Sequence, residues 1–171
     1  NRPVHIIPPA IDPLSVKNQP MNLDDAKRLL NKKGIDPDRP LVTQVSRFDP
    51  WKDPWGVIDA YKLAKQSASD LQLAYLGASH AADDPEGKGI FDSITSYAGS
   101  DPDIHLYTDP HIPLTEVDES VNAFQTASDI ILQKSIREGF GLTVTEAMWK
   151  GRPVIGGNVG GIRTQIENDQ T

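Results

Sequence analysis

Apolar residues along this chain fall into short, nearly continuous runs that alternate with stretches of helical period. Runs at 41–45, 71–76, 104–107, 129–132 and 153–155 are each read as a strand, and a first strand is expected at Val4, His5, Ile6 and Ile7, punctuated by Pro8 and Pro9. Between them lie helix signals. Residues 23–33 place Asp24 and Asp25 in a first turn and Lys32 and Lys33 in a last one, with Gly34 as the stop. Asp53 is a candidate N-cap with Pro54 at the first helical position, and Val57, Tyr61, Ala64 and Ala68 predict an apolar stripe behind it. Further helices are expected at about 88–98, around Val117, Val121 and Phe124, over 142–150, and from near Gly161.

Strands of nearly continuous apolar character, each followed by a helix, predict a parallel sheet covered on both faces. Right-handed crossovers then give an α/β, doubly wound, Rossmann-like domain. Ligands of such sheets bind outside the carboxyl ends of the strands. The loops after Val45, Leu76, Tyr107, Leu132 and Ile155 are therefore where chemistry is to be sought. No internal repeat and no low-complexity segment breaks the pattern.

Composition narrows the function classes. At 171 residues the chain suits one domain with a sizeable core, and 37% hydrophobic residues argue against disorder. A formal charge of −7 argues against a general nucleic-acid binder, which needs a surplus of Lys and Arg, yet leaves room for one phosphorylated ligand on a local cluster. With no cysteine, disulfides and thiolate metal sites are excluded, which suits a reducing, cytoplasmic setting. No apolar run reaches the ~20 residues that span a bilayer, so no membrane association is expected. His5, His80, His105 and His111 lack ligand spacing, and Asp83, Asp84 and Glu86 read as a solvated acidic loop; no metal site is expected. The beginning at Asn1 without Met, and the stop soon after an apparent helix, read as cuts in a longer chain.

Two loops carry candidate chemistry. In the first, Glu138, Gly139, Phe140, Gly141, Leu142 and Thr143 follow a strand, turn through two glycines and enter a helix that also bears Glu146. Glycines let backbone N–H groups approach a ligand, and the helix start favours an anion. Carboxylates beside such a turn suit a ligand that also offers hydroxyl donors, as a nucleotide sugar does. A plain helix start with a surface glutamate is the alternative reading. The second loop, Ser46 to Asp53, sets Arg47 and Lys52 at the same edge, where Arg can act as a planar fork and Lys as a point charge on a diphosphate; alone, it could equally be a solvated basic pair. The glycine-rich run 156–161 reads as a flexible strand-to-helix turn near a donor sugar, not a dinucleotide site. Trp51, Trp55 and Trp149 read as packing residues, with Trp51 also placed to shield the phosphate loop.

Glu138 and Glu146, with seven residues between them, resemble the signature of family 4 retaining glycosyltransferases of the GT-B fold, and Arg47 and Lys52 resemble that family's phosphate-binding element. The resemblance runs from Ile7, Pro8, Pro9, Ala10, Ile11 and Asp12 to Gly160, Gly161 and Ile162, nearly the whole chain. Residues 49–54 and 135–144 look most like the trehalose glycosyltransferring synthases, and the trehalose phosphorylases share much of the same wording.

The resemblance implies a C-terminal, donor-binding domain that lacks its N-terminal acceptor domain and is inactive alone. It implies that Glu138 holds hydroxyls of the transferred glucose and Glu146 those of the ribose. Ser46 and the backbone from Gly139 through Phe140, Gly141, Leu142 and Thr143 would meet sugar and diphosphate, Arg47 and Lys52 would steady the departing diphosphate, and Leu106 and Tyr107 would lie beside the base. The implied partners are a nucleoside-diphosphate-glucose and a sugar acceptor; no cofactor is required, with Mg²⁺ at most accompanying the substrate, and a homodimer is compatible. A phosphorylase using inorganic phosphate, a hydrolase using Glu138 and Glu146 across one bond, and a nucleotide-binding domain without activity remain alternatives.

Overall fold

The computed structural model describes residue 5 and residues 7–77, 85–108 and 114–167. The strand expected at 4–7 lies largely outside them, as do Asp83, Asp84, His80 and His111. Among the described residues five α-helices and five strands alternate: α1 (Leu23–Lys32), β1 (Leu41–Val45), α2 (Pro54–Lys65), β2 (Gln72–Gly77), α3 (Pro85–Ala98), β3 (Ile104–Thr108), α4 (Leu114–Ala127), β4 (Ile130–Gln133), α5 (Leu142–Trp149) and β5 (Val154–Gly156).

Local chemistry sets the boundaries. Asn22 caps α1 by accepting from the Asp24 N–H at 2.8 Å, and Gly34 follows at a φ of +90°, where a side chain would be strained. Asp53 caps α2 by accepting from the Gly56 N–H at 3.2 Å, with Pro54 at the first helical position. The buried stripe of α2 is Pro54, Val57, Ile58 and Tyr61. It departs from the expected one in that Ala64, in the last turn of a helix that ends at Lys65, is exposed, while Ala68, beyond the helix, still packs against the core. The last expected helix is only a short 3₁₀ helix, Gly160–Thr164.

All strand pairs are parallel, in the order β3-β2-β1-β4-β5. Leu30, Leu41, Val45, Ala74, Leu76 and Phe124 form a core between one face of the sheet and helices α1 and α4. Val42, Val57, Ile58, Leu73, Tyr75 and Ile94 form the other, beneath α2 and α3. The chain builds outward from β1 through β2 to β3, then returns to the opposite side of β1 for β4. That reversal opens a crevice between the carboxyl ends of β1 and β4, the place where doubly wound sheets bind ligands.

Candidate functional site

The two loops singled out from the sequence leave β1 and β4 side by side. The first winds through a short 3₁₀ helix, Pro50–Lys52, started by Asp49 accepting from the Trp51 N–H at 2.8 Å. The second runs from Lys134 to Gly141. Backbone joins them: the Ile136 N–H donates to the Trp51 carbonyl at 2.9 Å, and the Arg137 guanidinium lies over the Trp51 ring, 5.0 Å from its centroid.

Two ion pairs cross between the loops in opposite senses. Lys52 reaches the Glu138 carboxylate, and Lys134 reaches Asp53, the α2 cap. Glu138 also accepts from the Ser135 hydroxyl at 3.2 Å, the Gln133 amide at 3.3 Å and the Gly139 N–H at 3.1 Å. Burial alone would push its carboxyl up; Lys52, then Ser135 and the Gly139 N–H outweigh that and hold it below the usual carboxylate range. Glu138 is therefore an anion with several donors already in place, only 12% exposed at its side chain.

Arg47 stands at the rim, 64% exposed, with Asp49 as its partner at 3.2 Å. It lines a cavity of about 450 Å³ with Phe48, Asp49, Trp51, Glu86 and Ile90. A second cavity, of about 480 Å³, is lined from α1, α4 and the turn before α1, by residues such as Met21, Arg28 and Asn122. Glu138 lines neither.

Helix α5 starts at Gly141 with a φ of +86° and no side chain capping it. A Cβ there would lie 3.3 Å from the Ile162 side chain and 3.4 Å from that of Glu138, a slightly tight fit, so it is the backbone conformation that calls for glycine. The glycine-rich run is packed against this turn. A Cβ on Gly157 would fall 2.2 Å from the Ser135 carbonyl, and one on Gly160 would fall 1.7 Å from that of Glu138. Gln165 completes the brace by donating to the Phe140 carbonyl at 2.6 Å.

The remaining sequence-predicted residues sit around this centre. Ser46 shares a hydrogen bond with the Tyr75 hydroxyl at 2.7 Å, and Thr143 donates to the Val45 carbonyl at 3.2 Å. Leu142 is exposed. Glu146 is only 4% exposed and engaged elsewhere: Lys17 pairs with it at 2.7 Å and the Gln125 amide donates at 3.4 Å. Leu106 and Tyr107 alternate across the edge strand β3, Leu106 packing on the α2–α3 side and Tyr107 on the α1–α4 side, where its hydroxyl donates to the Lys33 carbonyl at 2.9 Å. Trp51 and Trp149 are about half exposed, and only Trp55 of the three tryptophans packs against a core.

Sequence reading did not find Gln44, Lys134, Gln133, Lys17 or Gln165, and it gave Ser135, at the head of the 135–144 segment, no role of its own. Gln44 and Gln133 did leave a signal, each a buried glutamine on a mostly apolar strand. Among the described residues no cluster of metal-ligating side chains occurs, and no helix is long and apolar enough to cross a membrane.

A doubly wound, five-stranded parallel sheet flanked by helices is the architecture of GT-B glycosyltransferase C-terminal domains. The C-terminal domain of a glycosyl transferase group 1 family protein from Francisella tularensis superposes with a TM-score of 0.64 at 22% identity, covering 85% of this chain and 71% of that one. Sucrose-phosphate synthase from Thermosynechococcus elongatus gives 0.63 at 27% identity, covering 88% and 36%. The family model for glycosyl transferases group 1 matches residues 25–171, and the chain belongs to that family. Trehalose synthase of Rubrobacter xylanophilus is 53% identical over 162 residues, 94% of this chain and 38% of its own length. That of Thermococcus litoralis is 50% identical over 169 residues, covering 98% and 40%. Trehalose phosphorylase of Pleurotus pulmonarius is 37% identical over 146 residues, covering 79% and 20%. The chain thus spans about two fifths of the length of the trehalose synthases it matches.

Proposed function

We propose that this chain supplies the donor site of a retaining hexosyltransferase, which moves glucose from a nucleoside-diphosphate-glucose to an acceptor, with glucose as acceptor and trehalose as product. The observation that carries the reading is the Lys52–Glu138 pair at the β1–β4 crevice, beside the uncapped start of α5. The diphosphate lies against that helix start and takes Lys52 and Arg47 as partners, because oriented amides and cations stabilise charge as it develops on a leaving group. Glu138, held ionised, accepts from glucose hydroxyls. The acceptor enters on the face the diphosphate leaves, a phosphate oxygen takes its proton, and the anomeric configuration is kept. The acceptor site belongs to an N-terminal domain beyond this chain. Mg²⁺ enters, if at all, with the substrate.

Glu146 is the ribose partner on this reading, so Lys17 must yield when the nucleotide binds. Its occupied state favours a second reading, a phosphorylase in which inorganic phosphate takes the diphosphate position and no ribose is bound. Calorimetric titration of the chain with ADP-, UDP- and GDP-glucose and with phosphate separates the two. Binding of one nucleotide sugar, weakened at least about tenfold in Lys52→Met, supports the transferase; binding of phosphate alone supports the phosphorylase. No binding of either to a folded chain sinks both.

A further inference from the structure

We propose that Gln44 is a positioning residue of this site, its one buried amide setting the spacing between the loop that carries Lys52 and the loop that carries Glu138. The inference rests on the donor-site reading for its functional consequence, though not for its geometry.

Gln44 lies on β1, the central strand, paired in register with Tyr75 of β2 and Leu132 of β4, and it is fully buried. Its Oε1 accepts from the Lys134 N–H at 3.0 Å, and its Nε2 donates to the Lys52 carbonyl at 3.0 Å. Each cross-loop ion pair therefore has the main chain of its lysine fixed on the same amide. Lys52 reaches forward to Glu138 and Lys134 reaches back to Asp53, with Gln44 beneath both. Nε2 has only two hydrogens, and the Tyr75 hydroxyl at 3.2 Å and the Ser46 hydroxyl at 3.3 Å compete for the second. Tyr75, whose hydroxyl burial pushes up to about 12, stays neutral and fills that place as a hydrogen-bonding partner, not a charge. An apolar residue at position 44 would leave the Lys52 carbonyl and the Lys134 N–H without this partner in a buried place, where unpaired groups are costly. The loops would then part until those groups were satisfied, drawing Lys52 off Glu138.

The test needs no ligand for its first readout. Carbon NMR follows the Glu138 carboxyl through a pH titration in the chain, in Gln44→Met and in Gln44→Asn, with Glu138→Gln to assign the resonance. Methionine keeps the length without polarity; asparagine keeps the amide one methylene short of both partners. Circular dichroism checks the fold of each. The expected result is a folded variant in which the Glu138 midpoint rises toward the ordinary carboxylate value, and in which affinity for the nucleotide sugar bound by the parent chain falls about tenfold. A folded variant with an unmoved Glu138 midpoint overturns the proposal, as does loss of the fold in both variants, which would make Gln44 a framework residue. If the parent chain binds no nucleotide sugar, the donor-site reading fails, while the titration still decides the role of Gln44.

Discussion

Gly160 offers the sharpest test of how the Glu138 loop is held. Its φ of +47° puts it in the left-handed region, and a Cβ built on it would sit 1.7 Å from the Glu138 carbonyl oxygen and 2.8 Å from the carbon. Alanine there meets two costs. The left-handed backbone costs about 1–2 kcal/mol for a residue with a Cβ. The contact then forces main chain to retreat by more than 1 Å, since carbon does not pack closer than 3.0 Å, and such overpacking costs about 1–3 kcal/mol. Gly151 is the internal control. Its φ is +68°, but nothing lies within 4 Å of its Cβ position, so Gly151→Ala meets the conformational cost alone.

Urea unfolding of the two variants thus separates conformation from contact: Gly160→Ala should lose about 2–5 kcal/mol and Gly151→Ala about 1–2. Because the displaced atom is the carbonyl of Glu138 itself, the damage extends to the site. A misplacement of about 1 Å around a reacting centre can cost a hundredfold in rate, so on the proposed reading transfer activity of the intact enzyme should fall on that order in Gly160→Ala and hold in Gly151→Ala. Equal stabilities for the two variants, or a Gly160→Ala enzyme of ordinary rate, would refute the idea that the glycine run exists to seat the Glu138 loop.

Other expectations follow from the ion pairs and caps. Glu138 is held below the usual carboxylate range, so its pair with Lys52 stabilises the fold above the ordinary Glu value of about 4.3 and that contribution is lost as pH falls through the folded value; Lys52→Met should abolish this acid-side loss and cost about 2 kcal/mol at pH 7 by denaturant titration. Lys150 is pushed down to about 8 by burial, against the pull of Glu146. Between pH 8 and 10 the unfolded chain then binds the extra proton, so stability should rise with pH in that window, and the rise should be absent in Lys150→Met. Asp53 holds a φ of +48° while capping α2 and pairing with Lys134. Asp53→Asn, which tolerates that backbone and keeps the cap, should melt near the parent, whereas Asp53→Ala should lose about 2 kcal/mol.

Much of this was legible in the sequence because it is local. The strand 41–45, the Asp53 cap with Pro54, and the strand-to-helix turn at Gly139 and Gly141 each follow from residues within one turn of each other. What was not legible depends on long-range closure. The Lys134–Asp53 pair forms only because the strand order sets β4 beside β1, and spacing along the chain carries no trace of that adjacency. Lys17 and Glu146 lie near opposite ends of the chain, so a position one turn into α5 did not reveal which partner would claim the carboxylate. The run 156–161 shows the same limit. Glycines read locally as freedom, whereas here they are required by backbone packed against backbone.

The pairing pattern also explains how an acidic chain keeps a cluster of cations at one crevice. Arg47 has Asp49, Lys52 has Glu138, Lys134 has Asp53, and Arg137 rests on the Trp51 ring. Opposite charges within a few ångströms keep the lysines and arginines from repelling one another across the narrow gap between β1 and β4. On the proposed reading this balance shapes recognition, because an incoming diphosphate must compete with resident carboxylates for each cation. At Lys52 the cost of the exchange is offset locally. When phosphate takes that lysine, Glu138 keeps the Ser135 hydroxyl, the Gln133 amide and the Gly139 N–H, and gains lone pairs for sugar hydroxyls. A phosphate without a sugar frees the carboxylate and gives it nothing to accept. A sugar without a phosphate finds the carboxylate already paired. The crevice thus favours a ligand that brings both at once, a preference that neither loop alone could express.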